Sequence, residues 1–178
     1  MSKYYYSALD IAAIISGFEL GCKAETKMIN RIWDGERYII SPKYANKKRK
    51  FILDVYYWMR YFYEKPILDK EFPIIQKDFE AMGSSFDLQQ YTSDFTDLDL
   101  FFKNIRIRIL YADGNDYVRI KLRSLLKHYG YKRRSKAIMR HIKTCMRVYK
   151  LIATQRGKIP CVLEDIDLDT MLSFRIKS

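Results

Sequence analysis

Between Tyr117 and Leu163 the chain has no aspartate and no glutamate, while fourteen lysines and arginines fall in the same 47 residues. That absence excludes neutralisation by local ion pairs. The charge must meet either an anionic partner or the acidic middle of its own chain. Cysteine is scarce: Cys22, Cys145 and Cys161 are odd in number, widely spaced and form no CxxC. A disulfide framework and a structural zinc spacing are thereby excluded, and a reducing compartment is expected. Long apolar runs are missing too. No stretch approaches the ~20 residues of a membrane-spanning helix, and Asp10 interrupts the N-terminal apolar run, against a signal peptide. The expected setting is cytoplasmic, with no membrane partner.

Histidine is almost absent, with only His128 and His141. There is no Gly-rich phosphate loop, no HExxH and no Cys/His metal set. "ETK", Glu25 to Lys27, matches half of a nuclease metal motif but lies in a helical context with no convincing upstream Asp on a strand. "EDIDLD", Glu164 to Asp169, lacks the glycine and terminal glutamate of a calcium loop and reads as a turn whose carboxylates neutralise a basic rim. The expectation is a protein that is not an enzyme and uses no cofactor and no metal.

Of the 178 residues, 48% are hydrophobic and 15% aromatic, enough to bury a core. Residues 1–63 carry a net +5 and residues 64–116 a net −5, so the 117–163 stretch supplies more than the whole net charge of +12. Such a bias concerns partners, not fold.

Periodicity gives a mainly α reading. Helices are expected over 8–18 and 25–33, and Ser41-Pro42 marks a turn or a helix start. "NKKRKFILDVYYWMRYFYEK" reads as one helix with an apolar stripe from Phe51 through Met59 to Phe62/Tyr63, stopped by Pro66. A short helix is expected over 73–87. "LDLFFKNIRIRIL" is read as helix, although Ile105, Ile107 and Ile109 alternate like a strand. "ADGND" is taken as the boundary between a helical, aromatic-rich region, 1–113, that serves dimerisation or docking, and a basic module, 114–178.

Within that module Val118, Leu122, Leu125, Leu126 and Tyr129 fall at helical spacing. Gly130 suits the left-handed position after a helix, and Ser135 offers a cap to the next. On that next helix Ile138, Ile142, Cys145, Met146 and Tyr149 share one face, and Lys136, Arg140, Lys143, Arg147 and Lys150 another. A helix, a tight turn and a second amphipathic helix make a helix-turn-helix. "LIATQRGKIPCV" then reads as a β-hairpin wing around Arg156-Gly157, and "DTMLSFRIK" as a third short strand.

Leu125-Leu126, Tyr129-Gly130, Arg133-Arg134, Ile138, Ile142 and Asp165-Ile166-Asp167 resemble small winged-helix modules of bacterial restriction, phage-defence and regulatory proteins. The resemblance covers about residues 117–176, and Ser135 stands where such modules often carry glycine. It implies a winged-helix-like helix-turn-helix with a small hairpin, and nucleic-acid binding.

The resulting expectation is a non-enzymatic DNA-binding protein, a regulator or the DNA-engaging subunit of a larger assembly, including a defence-related one. Lys132, Arg133, Arg134, Lys143, Arg147, Arg156 and Lys158 would contact phosphates. Lys136 and Arg140 would reach base edges. Lys47, Lys48, Arg49 and Lys50 form a second basic patch. Duplex DNA is the expected partner, with a second copy or a larger protein assembly beside it. Two alternatives stand: an interaction or anti-defence protein gripping an acidic partner, and an RNA or ribonucleoprotein binder.

Overall fold

Ser7 begins the first helix by a reciprocal cap. The Asp10 amide donates to Ser7 Oγ at 3.1 Å, and the Ser7 amide donates to Asp10 Oδ2 at 2.7 Å. Two of the orphan donors of helix α1, Ala8–Ser16, are satisfied in this way. In the computed structural model, which describes residues 4–62, 77, 96–112, 114–156 and 159–178, the chain divides into two compact units, Met1–Thr92 and Ser93–Ser178. The protein is mainly α-helical with a small three-stranded antiparallel sheet. Among the described residues, no helix is long and apolar enough to cross a membrane.

The first unit holds α1, α2 (Cys22–Glu36), a 3-10 turn with Pro42 at its first position (Pro42–Tyr44) and α3 (Lys48–Met59). α1 lies along α3. Ile11, Ile15, Ile29, Ile32, Phe51 and Met59 are buried to 2% exposure or less, each worth about 1.5–3 kcal/mol of apolar transfer. Phe51 meets Tyr44 edge-on and Trp33 at a tilt, both at 5.2 Å between centroids. Tyr6 bridges to Ile40, which ties the N-terminal segment to the end of α2.

The aromatic residues mostly serve this core. Tyr4, Tyr6, Tyr56, Tyr57 and Trp58 are buried and offer no stacking surface, whereas Tyr61 is exposed. α3 stops at Met59 and leaves Phe62 exposed, so the apolar stripe ends earlier than its pattern indicates. Tyr63, Pro66 and most of the short helix expected over 73–87 lie outside the described residues.

The second unit runs α4 (Thr96–Tyr111), β1 (Val118–Lys121), α5 (Leu122–His128), α6 (Lys136–Val148), β2 (Leu151–Thr154) and β3 (Met171–Ile176). The sheet order is β1-β3-β2, all antiparallel. The alternating isoleucines fall within a helix, and Ile105 and Ile107 are buried. α4 packs against α6 and β3, with Phe102 edge-on to Phe174 at 5.5 Å. The division between the units therefore precedes this helix, whereas "ADGND" follows it.

Two readings are corrected. Val118 belongs to a strand, not to the helix before Gly130, because Val118 to Lys121 pair with Phe174 to Met171. The hairpin after α6 is not two equal strands around Arg156-Gly157. β2 pairs with β3, and the nearer stretch forms no strand of its own among the described residues but closes a short hairpin turn. The Thr154 to Pro160 bridge is flanked by the Gln155 amide donating to the Ile159 carbonyl at 2.8 Å and the Cys161 amide to that of Ala153 at 3.2 Å. Pro160 cannot donate to a ladder, which limits that pairing.

Candidate nucleic-acid interface

The turn before α6 is built as its residues dictate. Gly130 takes φ +78°, the Tyr131 amide donates to the Leu126 carbonyl at 2.9 Å, and the Gly130 amide to that of Lys127 at 3.1 Å. These two bonds close α5 with a Schellman motif. Ser135 then caps α6, its Oγ accepting from the Ile138 amide at 3.2 Å.

α6 buries Ile138, Met139, His141, Ile142 and Cys145. Lys136, Arg140, Lys143 and Arg147 are exposed on the opposite side. At 100° per residue these four fall within an arc of about 60°. They line a groove of about 670 Å³, with Arg134 and Glu164 at its wall. A second hollow of about 630 Å³ shares Lys143 and Arg147 and continues to Lys150 and Lys177. The cations thus form one continuous strip along about 20 Å of helix. Among the described residues, Lys136, Arg140 and Arg147 have no carboxylate partner.

The other expected contacts are placed less uniformly. Lys132 and Arg133 are exposed in the turn ahead of the strip, and Arg156 is exposed beyond β2 without lining either hollow. Lys158 lies outside the described residues. Arg134 is committed: its Nη1 donates to the carbonyls of Ile166 at 2.6 Å and Leu163 at 3.3 Å. The patch at Lys47, Lys48, Arg49 and Lys50 belongs to the first unit and is partly neutralised. Lys48 pairs with Asp34 at 3.0 Å and Lys50 with Asp54 at 3.6 Å.

Acidic groups act at the rim of the second unit. Arg123 holds Asp169 with two bonds of 2.8 and 2.9 Å, Arg175 pairs with Asp116, and Lys143 pairs with Glu164. The hydrogen bond from Lys143 holds the Glu164 carboxyl below its usual range. The bond from Arg123 does the same for Asp169.

Behind the strip, α4 grips α6 through polar groups. His141 Nε2 is 2.7 Å from Asp99 Oδ1, Cys145 Sγ donates to the same oxygen at 3.3 Å, and all three residues are buried. Arg106 Nη1 donates to the Tyr149 carbonyl at 2.6 Å, a cation at the C-terminal end of α6 where the helix dipole favours one. Burial, reinforced by Asp99, pushes the Cys145 thiol far above its ordinary value. It is therefore a packed thiol and weak hydrogen-bond donor, not a thiolate nucleophile. These three side chains are of metal-ligating types and converge, but the shared Asp99 oxygen already takes the His141 and Cys145 contacts. The arrangement ties two helices together and holds the strip in one orientation.

Sequence reasoning missed Asp99, Arg106 and Lys177, and it read Glu164 as neutralising the basic rim without placing it on Lys143. The one signal present was the His141/Cys145 spacing of four on the apolar face of α6, which puts two polar side chains against whatever packs there. No protein-family model, no curated protein and no solved structure matches this chain.

Proposed function

We propose that the protein binds duplex DNA through a winged-helix-like second unit, acting without catalysis as a regulator or as the DNA-engaging subunit of a larger assembly. The observation that carries this reading is the strip: Lys136, Arg140, Lys143 and Arg147 on one face of a helix whose other face is locked into the core. A solvated surface normally mixes signs, and this one is cationic apart from Glu164. Each phosphate neutralised by such a surface releases condensed counterions, which favours binding directly.

The element order of helix, strand, helix, turn, helix, strand, loop, strand supports the winged-helix reading. In that arrangement α6 enters the major groove and the loop before β3 flanks it. Lys143, Arg147, Lys132 and Arg133 then meet phosphates, Lys150 and Lys177 extend the track, and Arg156 touches the backbone from the loop. Lys136 and Arg140, in the N-terminal half of α6, face base edges, where an arginine can donate twice to guanine. Arg134 shapes the loop.

A titration of the whole chain against duplex DNA, single-stranded DNA and duplex RNA, read by fluorescence anisotropy, tests the reading. Preferential binding of duplex DNA, lost in Lys136→Ala/Arg140→Ala, supports it. Preference for RNA or single strands moves the function to the RNA alternative.

A second reading, docking to an acidic protein, is favoured by Ile159 and Val162, apolar residues of the loop that carries Glu164, which are 63% and 55% exposed. Absence of binding to every nucleic acid near physiological salt would select it.

A further inference from the structure

One carboxylate stands in the strip. Glu164 lies in the loop between β2 and β3, and its side chain reaches Lys143 in the middle of the cationic groove. Its placement is built: Arg134 Nη1 donates to the carbonyls of Leu163 and Ile166, fastening the backbone on both sides of Glu164. Glu164 Oε1 takes the lysine, while Oε2 is shielded from water and has no hydrogen-bond partner among the described residues. Leaving a carboxylate oxygen in that state is unfavourable. The loop nevertheless holds it there.

We propose that Glu164 is a specificity-determining residue: it occupies Lys143 as an internal stand-in for phosphate and suppresses sequence-independent backbone binding by this face. The inference rests on the nucleic-acid reading above and deepens it. A phosphate approaching Lys143 must displace a carboxylate already paired there and tolerate its charge. A complex aligned so that Lys136 and Arg140 reach their base edges gains enough elsewhere to do so. A misaligned duplex does not. Discrimination of this kind comes from a repulsive element placed against the wrong partner.

The test compares the full chain with Glu164→Gln and with Asp165→Asn on a random-sequence duplex at several salt concentrations. Asp165 is the exposed neighbour on the same loop and makes no ion pair among the described residues, so it controls for net charge. Glu164→Gln is expected to tighten random-duplex binding about threefold, the scale of one exposed ion pair. The dependence of log K on log salt steepens by about one phosphate. Asp165→Asn shows less than half of that gain. Equal effects of the two substitutions, or weaker binding by Glu164→Gln, would overturn the inference while leaving nucleic-acid binding in place. Absence of duplex binding by the unsubstituted chain and by Glu164→Gln would overturn both.

Discussion

His141 Nε2 lies 2.7 Å from Asp99 Oδ1, with each side chain only 4% exposed, and this contact joins the middle of α6 to the start of α4. The helix that carries the cationic strip is therefore fixed by a buried polar pair as well as by apolar packing. A buried pair is weak evidence of net stabilisation, but removing one member leaves the other uncompensated. Asp99→Ala leaves His141 and Cys145 without their shared acceptor and is expected to destabilise the second unit by about 1–3 kcal/mol. In a double-mutant cycle with His141→Ala the pair should show a coupling of roughly 1–3 kcal/mol. Chemical denaturation measures both, and additive losses would remove this contact from the account.

Arg133 and Arg134 are adjacent and should behave as opposites. Arg134 donates to two carbonyls of the loop before β3, whereas Arg133 is exposed ahead of the cap. Arg134→Ala should cost about 1–2 kcal/mol of stability, since buried acceptors lose their donor. It should also speed proteolysis within 159–170. Arg133→Ala should leave unfolding within about 0.5 kcal/mol and weaken duplex binding instead. Thermal unfolding and limited proteolysis of both variants check the contrast.

Two left-handed residues bracket α6, and their substitutions should have opposite signs. Gly130 has φ +78° and open space where a Cβ would stand, so Gly130→Ala costs only backbone strain, about 1–2 kcal/mol. Lys150 has φ +50° where glycine would be relaxed. Lys150→Gly should stabilise the fold by about 0.5–1 kcal/mol while weakening DNA binding. Strain retained at a cation of the strip is what a binding role for Lys150 requires. Stabilisation without loss of affinity would place Lys150 outside the interface.

Burial governs the cysteines. The Cys145 thiol is pushed up by burial first and by Asp99 second. In the unfolded chain it ionises near its ordinary value. Its contribution to stability is therefore complete below about pH 8.5 and is lost as pH rises beyond that value. Alkylation of the native protein at pH 8.5 should label Cys22 first and leave Cys145 unmodified until unfolding, as mass spectrometry will show. Labelling of Cys145 at the rate of Cys22 would contradict an enclosed cluster.

Local features of the second unit were legible in the sequence. Ser135 as cap, Gly130 as left-handed terminus and the separation of apolar from cationic residues on α6 all follow from neighbours within one or two turns. Less legible features depend on distant partners. Val118 to Lys121 is a strand because Met171 to Phe174 lies beside it, about fifty residues later in the chain. Asp99 and His141 are 42 residues apart, and nothing local announces their contact. Arg134 looked like any other member of a basic run because its acceptors, the Leu163 and Ile166 carbonyls, have no side-chain identity to read. The Asp165 region was legible as a turn, but not the placement of Glu164 on Lys143.

The most direct test of the central claim is the salt dependence of duplex-DNA binding by the full chain, set beside that of Lys143→Ala/Arg147→Ala. The account predicts a slope of log K against log salt of about −4 to −6 on an unselected duplex, for about five or six neutralised phosphates, made shallower by about one unit in the double variant, because Glu164 already occupies Lys143 there. A slope near zero, or one that the double variant leaves unchanged, would contradict a phosphate-binding role for the α6 strip.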